Sequence, residues 1–280
     1  MSCLFASDLH GHVDRYDKLF TTIERERPGA VFLGGDLLPH VHAHGGGRFL
    51  EQVVGERLRA LRNKLGHGYP RVFSILGNDD PRVEEATMAA LEESGVLEYI
   101  HQRRVDWAGW TVYGYACVPP TPFLLKDWEV YDVSRYADPG CVSPEDGRRS
   151  VAVAAHEIRH RTIAQDLAAL VPPGALDRAL ILFHAPPYQT VLDRAALDGQ
   201  MVEHVPIDVH VGSIAVRRFI ESRQPRVTLH GHIHESARLS GSWHTRIGRT
   251  VAISAAHDGP ELALIRFDPE RPEDATRELL

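Results

Sequence analysis

Asp8 and His10 stand two residues apart, directly after the apolar run Cys3-Leu4-Phe5-Ala6. In an extended segment alternate side chains share a face, so this carboxylate and this imidazole can converge on one cation. Four later apolar runs end in the same kind of residue. Asp36 follows Ala30-Val31-Phe32-Leu33, Asn78 follows Val72-Phe73-Ser74-Ile75-Leu76, His184 follows Leu180-Ile181-Leu182-Phe183, and His230-Gly231-His232-Ile233-His234 follows Arg226-Val227-Thr228-Leu229. Alternate histidines around Gly231 can serve two cations from one turn. Oxygen and imidazole donors without thiolate suit Mn, Fe, Zn or Co and do not choose among them.

A short apolar run that stops at a polar pair reads as a buried strand ending at the carboxyl edge of a sheet, where open α/β folds place their chemistry. The five runs therefore predict one sheet edge that gathers all the donors. Gly34 and Gly35 let the backbone turn sharply before Asp36. Between the strands, helical spacing over 13–27 puts Tyr16, Leu19, Phe20 and Ile23 on one face, and Pro28-Gly29 ends it. Further helices are expected over 48–66, with Phe49, Val53, Leu58, Leu61 and Leu65 inward, and over 80–94, starting from an Asp80 N-cap and Pro81. Two more are expected over 151–170 and 212–224, with short strands over 96–100 and 110–115. Tail strands over 243–247, 250–254 and 262–267 read as a second sheet packing on the first, and 268–280 as a frayed terminus.

The pattern breaks between 116 and 150, where Pro119-Pro120-Thr121-Pro122, Lys126-Asp127-Trp128-Glu129 and Gly147-Arg148-Arg149 interrupt a domain otherwise continuous over 1–280. A loop this long inside a compact domain is usually functional or disordered. Its aromatic content (Phe123, Trp128, Tyr131, Tyr136) favours an ordered lid, and Lys126 is expected to meet an anionic substrate. His40, His42 and His44 alternate in a glycine-rich loop; His40 is a candidate for substrate phosphate. A second motif is a decoy: His156-Glu157-Ile158-Arg159-His160 fits the H-E-x-x-H pattern of zinc proteases. The extended form of that pattern needs Gly and His where this chain has Ile163 and Asp166.

Composition bounds the partners. Hydrophobic content of 43% and charged content of 25% are those of an ordinary soluble domain. With 31 basic against 38 acidic residues the net charge is −7, so no global positive field draws in extended nucleic acid. No apolar run approaches a membrane span, and the N-terminus lacks the regions of a signal peptide, so a cytoplasmic location is expected. Cys3, Cys117 and Cys141 are too few and too scattered for a disulfide framework or a thiolate zinc site.

Taken in order, Asp8-x-His10, Gly35-Asp36, Gly77-Asn78-Asp79-Asp80, His184 and Gly231-His232-Ile233-His234 resemble the calcineurin-like metallophosphoesterase family. The runs around Pro119–Glu129 and His184-Ala185-Pro186-Pro187-Tyr188 look like a bacterial branch of predicted phosphoesterases. The resemblance implies an α/β fold, specifically a four-layer α/β/β/α sandwich. It also implies two divalent cations, one on Asp8, His10, Asp36 and His234, the other on Asp36, Asn78, His184 and His232. Such a pair, about 3.5 to 4 Å apart, needs one bridging carboxylate and can hold a hydroxide that attacks a phosphoester. Asp36 is then the bridge and His230 falls outside the set.

The departure from the family is at residue 79, where the commonest version has a histidine that protonates the leaving oxygen and this chain has Asp79. An anionic carboxylate there repels a dianionic monoester more than a monoanionic diester. The expectation is a metal-dependent phosphodiesterase acting on a small phosphoester. The rivals are a phosphomonoesterase or protein phosphatase and, further off, a noncatalytic metal-binding scaffold for protein partners.

Overall fold

The computed structural model describes residues 1–40 and 46–280; His42 and His44 lie outside the described residues. The strands are β1 (Cys3–Ala6), β2 (Ala30–Gly34), β3 (Arg71–Ile75), β4 (Glu98–Tyr99), β5 (Arg103–Trp107), β6 (Trp110–Tyr115) and β7 (Ala179–Phe183). They continue with β8 (Met201–Val202), β9 (Val205–Pro206), β10 (Val227–His230), β11 (His244–Ile247), β12 (Thr250–Ser254), β13 (Ala263–Phe267) and β14 (Thr276–Leu279). The helices are α1 (Val13–Glu26), α2 (Gly46–Phe49), α3 (Glu56–Leu65), α4 (Glu85–Glu93), α5 (Ala155–His160), α6 (Ile163–Leu170), α7 (Ile214–Arg223) and α8 (Ser236–Ser240).

The donor-bearing strands do not share one sheet. β1, β2 and β3 belong to a six-stranded sheet ordered β14-β13-β1-β2-β3-β4, whereas β7 and β10 belong to a second ordered β11-β12-β10-β7-β6-β5. Both have parallel centres: β1 to β4 run parallel out to the β4 edge with β13 reversed on the other side, and β6, β7, β10 and β12 run parallel with β5 and β11 reversed at the two edges. The sheets meet through β2 with β7 and β3 with β6. Phe32 and Phe73 of the first pack edge-on against Trp107 of the second, with centroids 6.2 and 6.0 Å apart, so this interface is aromatic core.

The tail divides differently from the expectation. β11 and β12 extend the second sheet, but β13 returns to pair with β1, and β14 pairs with β13, so 276–279 is an edge strand and not a frayed end. An apolar run specifies a strand without naming its partner, because pairing is a long-range choice.

Local signals account for some helix ends: side-chain caps start α6 and α7. Tyr16, Leu19 and Ile23 form the buried stripe of α1, and Arg27 closes it in the left-handed conformation. The helix expected over 48–66 is continuous from α2 to α3 through a π-helical stretch, Leu50–Gly55. Leu50 and Val54 face inward in line with Leu58, Leu61 and Leu65, whereas Phe49 and Val53, expected on the inner stripe, are only partly buried because they stand one residue off the i, i+4 spacing of that line. The helix expected over 151–170 is broken in two: Thr162 accepts from Gln165 N–H in a capping box that starts α6 afresh. No helix among the described residues is long and apolar enough to cross a membrane.

Candidate metal centre

Each donor lies just beyond a strand, and the two sheets contribute different chemistry. The first delivers Asp8, His10, Asp36, Asn78 and Asp79; the second delivers only imidazoles, His184, His232 and His234. The ligand atoms of Asp8, His10, Asp36 and His234 lie within 4.8 Å of one another, and so do those of Asp36, His184 and His232. Asp36 belongs to both groups, its Oδ2 being 3.9 Å from His10 Nε2 and 3.2 Å from His184 Nε2. Asn78 adjoins the second group, with Oδ1 3.0 Å from His184 Nε2.

Strand alternation is not what brings Asp8 and His10 together. Asp8, His10, Asp36 and His232 have φ of 58°, 46°, 52° and 75°, the left-handed region that side-chain-bearing residues seldom adopt. Each such residue costs on the order of 1 kcal/mol or more unless its surroundings enforce it. Here the loops are laced together: Asp8 N–H donates to Gly35 O (3.0 Å), His10 N–H to Asp36 O (2.8 Å), Asp79 N–H to Asp36 Oδ1 (2.9 Å) and His232 N–H to Asp8 Oδ1 (3.0 Å). Two glycines permit this nesting. A Cβ on Gly77 would sit 2.2 Å from Asp36 Oδ1, and one on Gly231 would sit 2.6 Å from Asp8 Oδ2.

The donor set fits cations. His184 Nδ1 is 2.8 Å from Gly34 O, which fixes it as the donor and turns the neutral ring's Nε2 lone pair toward two further acceptors, Asn78 Oδ1 and Asp36 Oδ2. In the other group His10 Nε2 and His234 Nε2 face each other at 3.0 Å. Asp8 Oδ2 and His10 Nδ1 are buried with no hydrogen-bond partner among the described residues. Converging acceptors and orphaned buried atoms cost free energy that a bound cation would recover.

In the metal-free protein protons do part of that work. Burial lowers His184, but the charge and hydrogen bond of Asp36 outweigh it and raise the imidazole to about 10. Burial likewise opposes, and Asp8 overrides, in raising His234 to about 9. Burial pushes Asp36 up, yet His184 and His10 hold it well below the usual carboxylate range. Asp8 is held at about 2, burial being offset by His234 and His184. Burial alone dominates at His10 and His232, which fall to about 4 and about 3.

Two positioning residues are not evident from the motifs. Asp80, expected as a helix N-cap, is fully buried and turns the other way: it accepts from Gly77 N–H (2.9 Å), Leu37 N–H (3.1 Å) and Leu38 N–H (2.9 Å), clamping the β2 and β3 loops together. The segment after it starts as a 3-10 turn over Arg82–Glu84 with no side-chain cap. Arg15 is buried and donates to Asp8 O (2.7 Å) and Gly259 O (2.6 Å). A guanidinium four residues before Leu19, on the inward face of α1, was its one legible signal.

Asp79 lies at the rim with Oδ2 3.8 Å from His10 Nδ1 and 3.3 Å from His40 Nδ1. Burial and the charge of Asp36 raise it to about 6. His40, expected as a substrate contact, is exposed and stacks on His10 with centroids 4.9 Å apart, so it lies beside the centre. Lys126 does not. It is 1% exposed, ion-paired with Glu129 and donating to Thr121 O (2.8 Å), because a buried ammonium needs compensating acceptors and Glu129 supplies them. The insert around it is anchored: Asp127 accepts from Arg82 N–H and Ser150 N–H, and Trp128 Nε1 donates to Asp80 O (2.7 Å). His230 is packing, stacked on Phe183 and hydrogen-bonded to Ala185 O and Thr228 Oγ1. His156 and His160 are exposed on the six-residue α5 and join no cluster of metal-ligating groups among the described residues.

The sequence model of calcineurin-like phosphoesterase matches residues 1–236. The uncharacterized protein MJ1162 of Methanocaldococcus jannaschii is 35% identical over 81 residues, a match spanning 28% of this chain and 31% of that protein. Among solved structures, TT1561 of Thermus thermophilus superposes with a TM-score of 0.59 at 17% identity, covering 99% of this chain and 98% of that one, which is a likeness of fold. A dimetal phosphatase from Danio rerio aligns over 95% of this chain and 92% of its own at 14% identity, with a TM-score of 0.48.

Proposed function

The chain belongs to the calcineurin-like phosphoesterase family, and from that premise we propose that it hydrolyses phosphodiesters, in preference to monoesters, at a dinuclear metal centre. The observation that carries the dinuclear reading is Asp36, whose one oxygen lies between His10 and His184 and so serves both halves of the site. Asp8, His10, Asp36 and His234 would hold one divalent cation, and Asp36, Asn78, His184 and His232 the other. When bound, such a pair supplies Lewis-acid polarisation of the phosphoryl oxygens and lowers the pKa of the attacking water.

The chain's own groups set the preference. Asp79 adds a carboxylate at the rim where the family's usual histidine would stand, so a second negative charge on the substrate is opposed. His40, its Nδ1 3.3 Å from Asp79 Oδ2, would offer Nε2 to a phosphoryl or leaving-group oxygen. The second reading, a monoesterase, is favoured by the raised pKa of Asp79, which leaves part of it protonated near neutrality and able to act as the acid.

The two are separated by kcat/KM for an aryl diester and the matching aryl monoester, at fixed manganese and pH. Wild type should favour the diester. Asp79→His should gain relative monoesterase activity by about 10²-fold, the contribution of general acid catalysis. A wild type that prefers the monoester refutes the charge argument.

A further inference from the structure

Residue 79 meets one ligand from each half of the metal centre and the ligand that the halves share. Its backbone N–H donates to Asp36 Oδ1 at 2.9 Å, which leaves Asp36 Oδ2 facing His10 and His184. Its carboxylate turns two oxygens to two different ligands. Oδ1 accepts from Asn78 Nδ2 at 3.1 Å, and Oδ2 lies 3.8 Å from His10 Nδ1.

These contacts decide which atoms of Asn78 and His10 are offered to a cation. An amide has a donor end and an acceptor end, so holding Asn78 Nδ2 turns its Oδ1 the other way, to 3.0 Å from His184 Nε2 in the second group. Asn78 is buried, and a flipped amide would set its donor end against that group. His10 poses the same choice in the first group. Its Nε2 faces His234 and Asp36, where a cation would sit, which assigns the ring proton to Nδ1. That Nδ1 is buried and has no hydrogen-bond partner among the described residues. An imidazole that ligates through one nitrogen almost always donates the other N–H to a carboxylate, a carbonyl or water. Asp79 Oδ2 is placed to be that carboxylate. The separation of 3.8 Å exceeds a hydrogen bond, but the Asp79 side chain is 24% exposed and has room to turn, and a cation on Nε2 makes Nδ1–H a stronger donor. His40 Nδ1 lies 3.3 Å from the same oxygen, which has lone pairs for both rings.

We propose that Asp79 is a positioning residue for both cations: Oδ1 aims the carbonyl oxygen of Asn78 at one, and Oδ2 orients His10 toward the other. The proposal rests on the dinuclear reading and deepens it. A neutral histidine at this position has a single ring acceptor and cannot serve both contacts, so the departure from the family's usual residue changes how the ligands are held.

Titrating metal-free protein with manganese, with free ion read by electron paramagnetic resonance, gives the two binding constants. Asp79→Ala removes both acceptors and should weaken both ions by about 10- to 100-fold, the usual loss when a ligand's hydrogen-bond partner is deleted. Asp79→Asn keeps the shape and one acceptor but no charge, and should weaken one ion in that range while sparing the other. A purely coulombic role would make the two variants alike and would fade in about 1 M potassium chloride, where charges are screened within about 3 Å. Zinc-loaded protein supplies a second readout. The His10 Nδ1–H proton, assigned by its loss in His10→Gln, should give a slowly exchanging downfield resonance in wild type that Asp79→Ala lacks. The Asp79 side chain lies at the rim, so the metal-free variants should melt with wild type. The proposal is overturned if Asp79→Ala holds both ions as tightly as wild type, if the Asn and Ala variants weaken both ions equally and salt removes the difference from wild type, or if the resonance persists in Asp79→Ala. Wild type binding fewer than two manganese ions overturns the dinuclear reading and the proposal with it, whereas the three outcomes above sink the proposal alone.

Discussion

The first sheet brings oxygen donors and one imidazole to the centre, in loops laced by backbone hydrogen bonds; the second brings three imidazoles and no carboxylate. Neither half is a site. The first has a surplus of negative charge that the second, when protonated, neutralises: His184 against Asp36 and His234 against Asp8. The centre therefore exists only where the sheets are docked, and it helps to dock them. Because metal and protons compete for the same imidazoles, the two sheets should respond to substitution and pH in different ways.

The sharpest break is at the shared oxygen. Asp36→Ala should reduce metal content from about two ions per chain to less than one and lower diesterase kcat/KM by about 10³-fold, several kcal/mol of transition-state stabilisation. His232→Ala, which touches only the second group, should retain about one ion and lose about 10²-fold. Elemental analysis after manganese reloading decides the pair, and equal losses would dissolve the distinction between bridge and single-site ligand.

A smaller effect is expected where the first sheet's loops are clamped. Asp80→Ala deletes three accepted backbone hydrogen bonds in a buried site and should cost about 3 kcal/mol, read as a drop in Tm of about 6–12 °C. Metal affinity should fall with it, since Asp36 and Asn78 lie on the two loops that Asp80 joins. A variant with normal Tm and weakened metal binding would show the clamp to be local.

Smaller still is the pH response of the second sheet. His184 and His234 have folded pKa values of about 10 and about 9, above the usual 6.5 of the unfolded chain. Their stabilisation is complete below pH 6.5 and drains away as pH rises through the folded values, so the metal-free protein should lose stability between pH 7 and 9. Manganese should shrink or reverse that loss, because it needs the imidazoles neutral. Urea midpoints with EDTA and with manganese at both pH values test it; parallel profiles would refute it. No effect at all is expected from Glu157→Gln on α5, and metal-dependent peptide cleavage lost in that variant would overturn the reading of His156 and His160 as surface residues.

Sequence determined the donors. Residue type fixes which atoms can ligate, and an apolar run followed by a polar residue fixes where a buried strand stops, so Asp8, His10, Asp36, Asn78, His184 and the three histidines His230, His232 and His234 were legible as candidates from local pattern, while it was the family resemblance that implied a set without His230. Tertiary structure decided how they meet. Nothing local divides five similar strands between two sheets or sends β13 back to β1, because strand pairing is settled by contacts far apart in the chain. Nor does any local signal put Asp8, His10, Asp36 and His232 in the left-handed region; each conformation is unfavourable alone and persists because a neighbouring loop holds its backbone. The same holds for Lys126 and Asp80. The first was expected to meet an anionic substrate and the second to cap a helix, and both are internal because the fold supplies partners, Glu129 for the one and the amides of Gly77, Leu37 and Leu38 for the other.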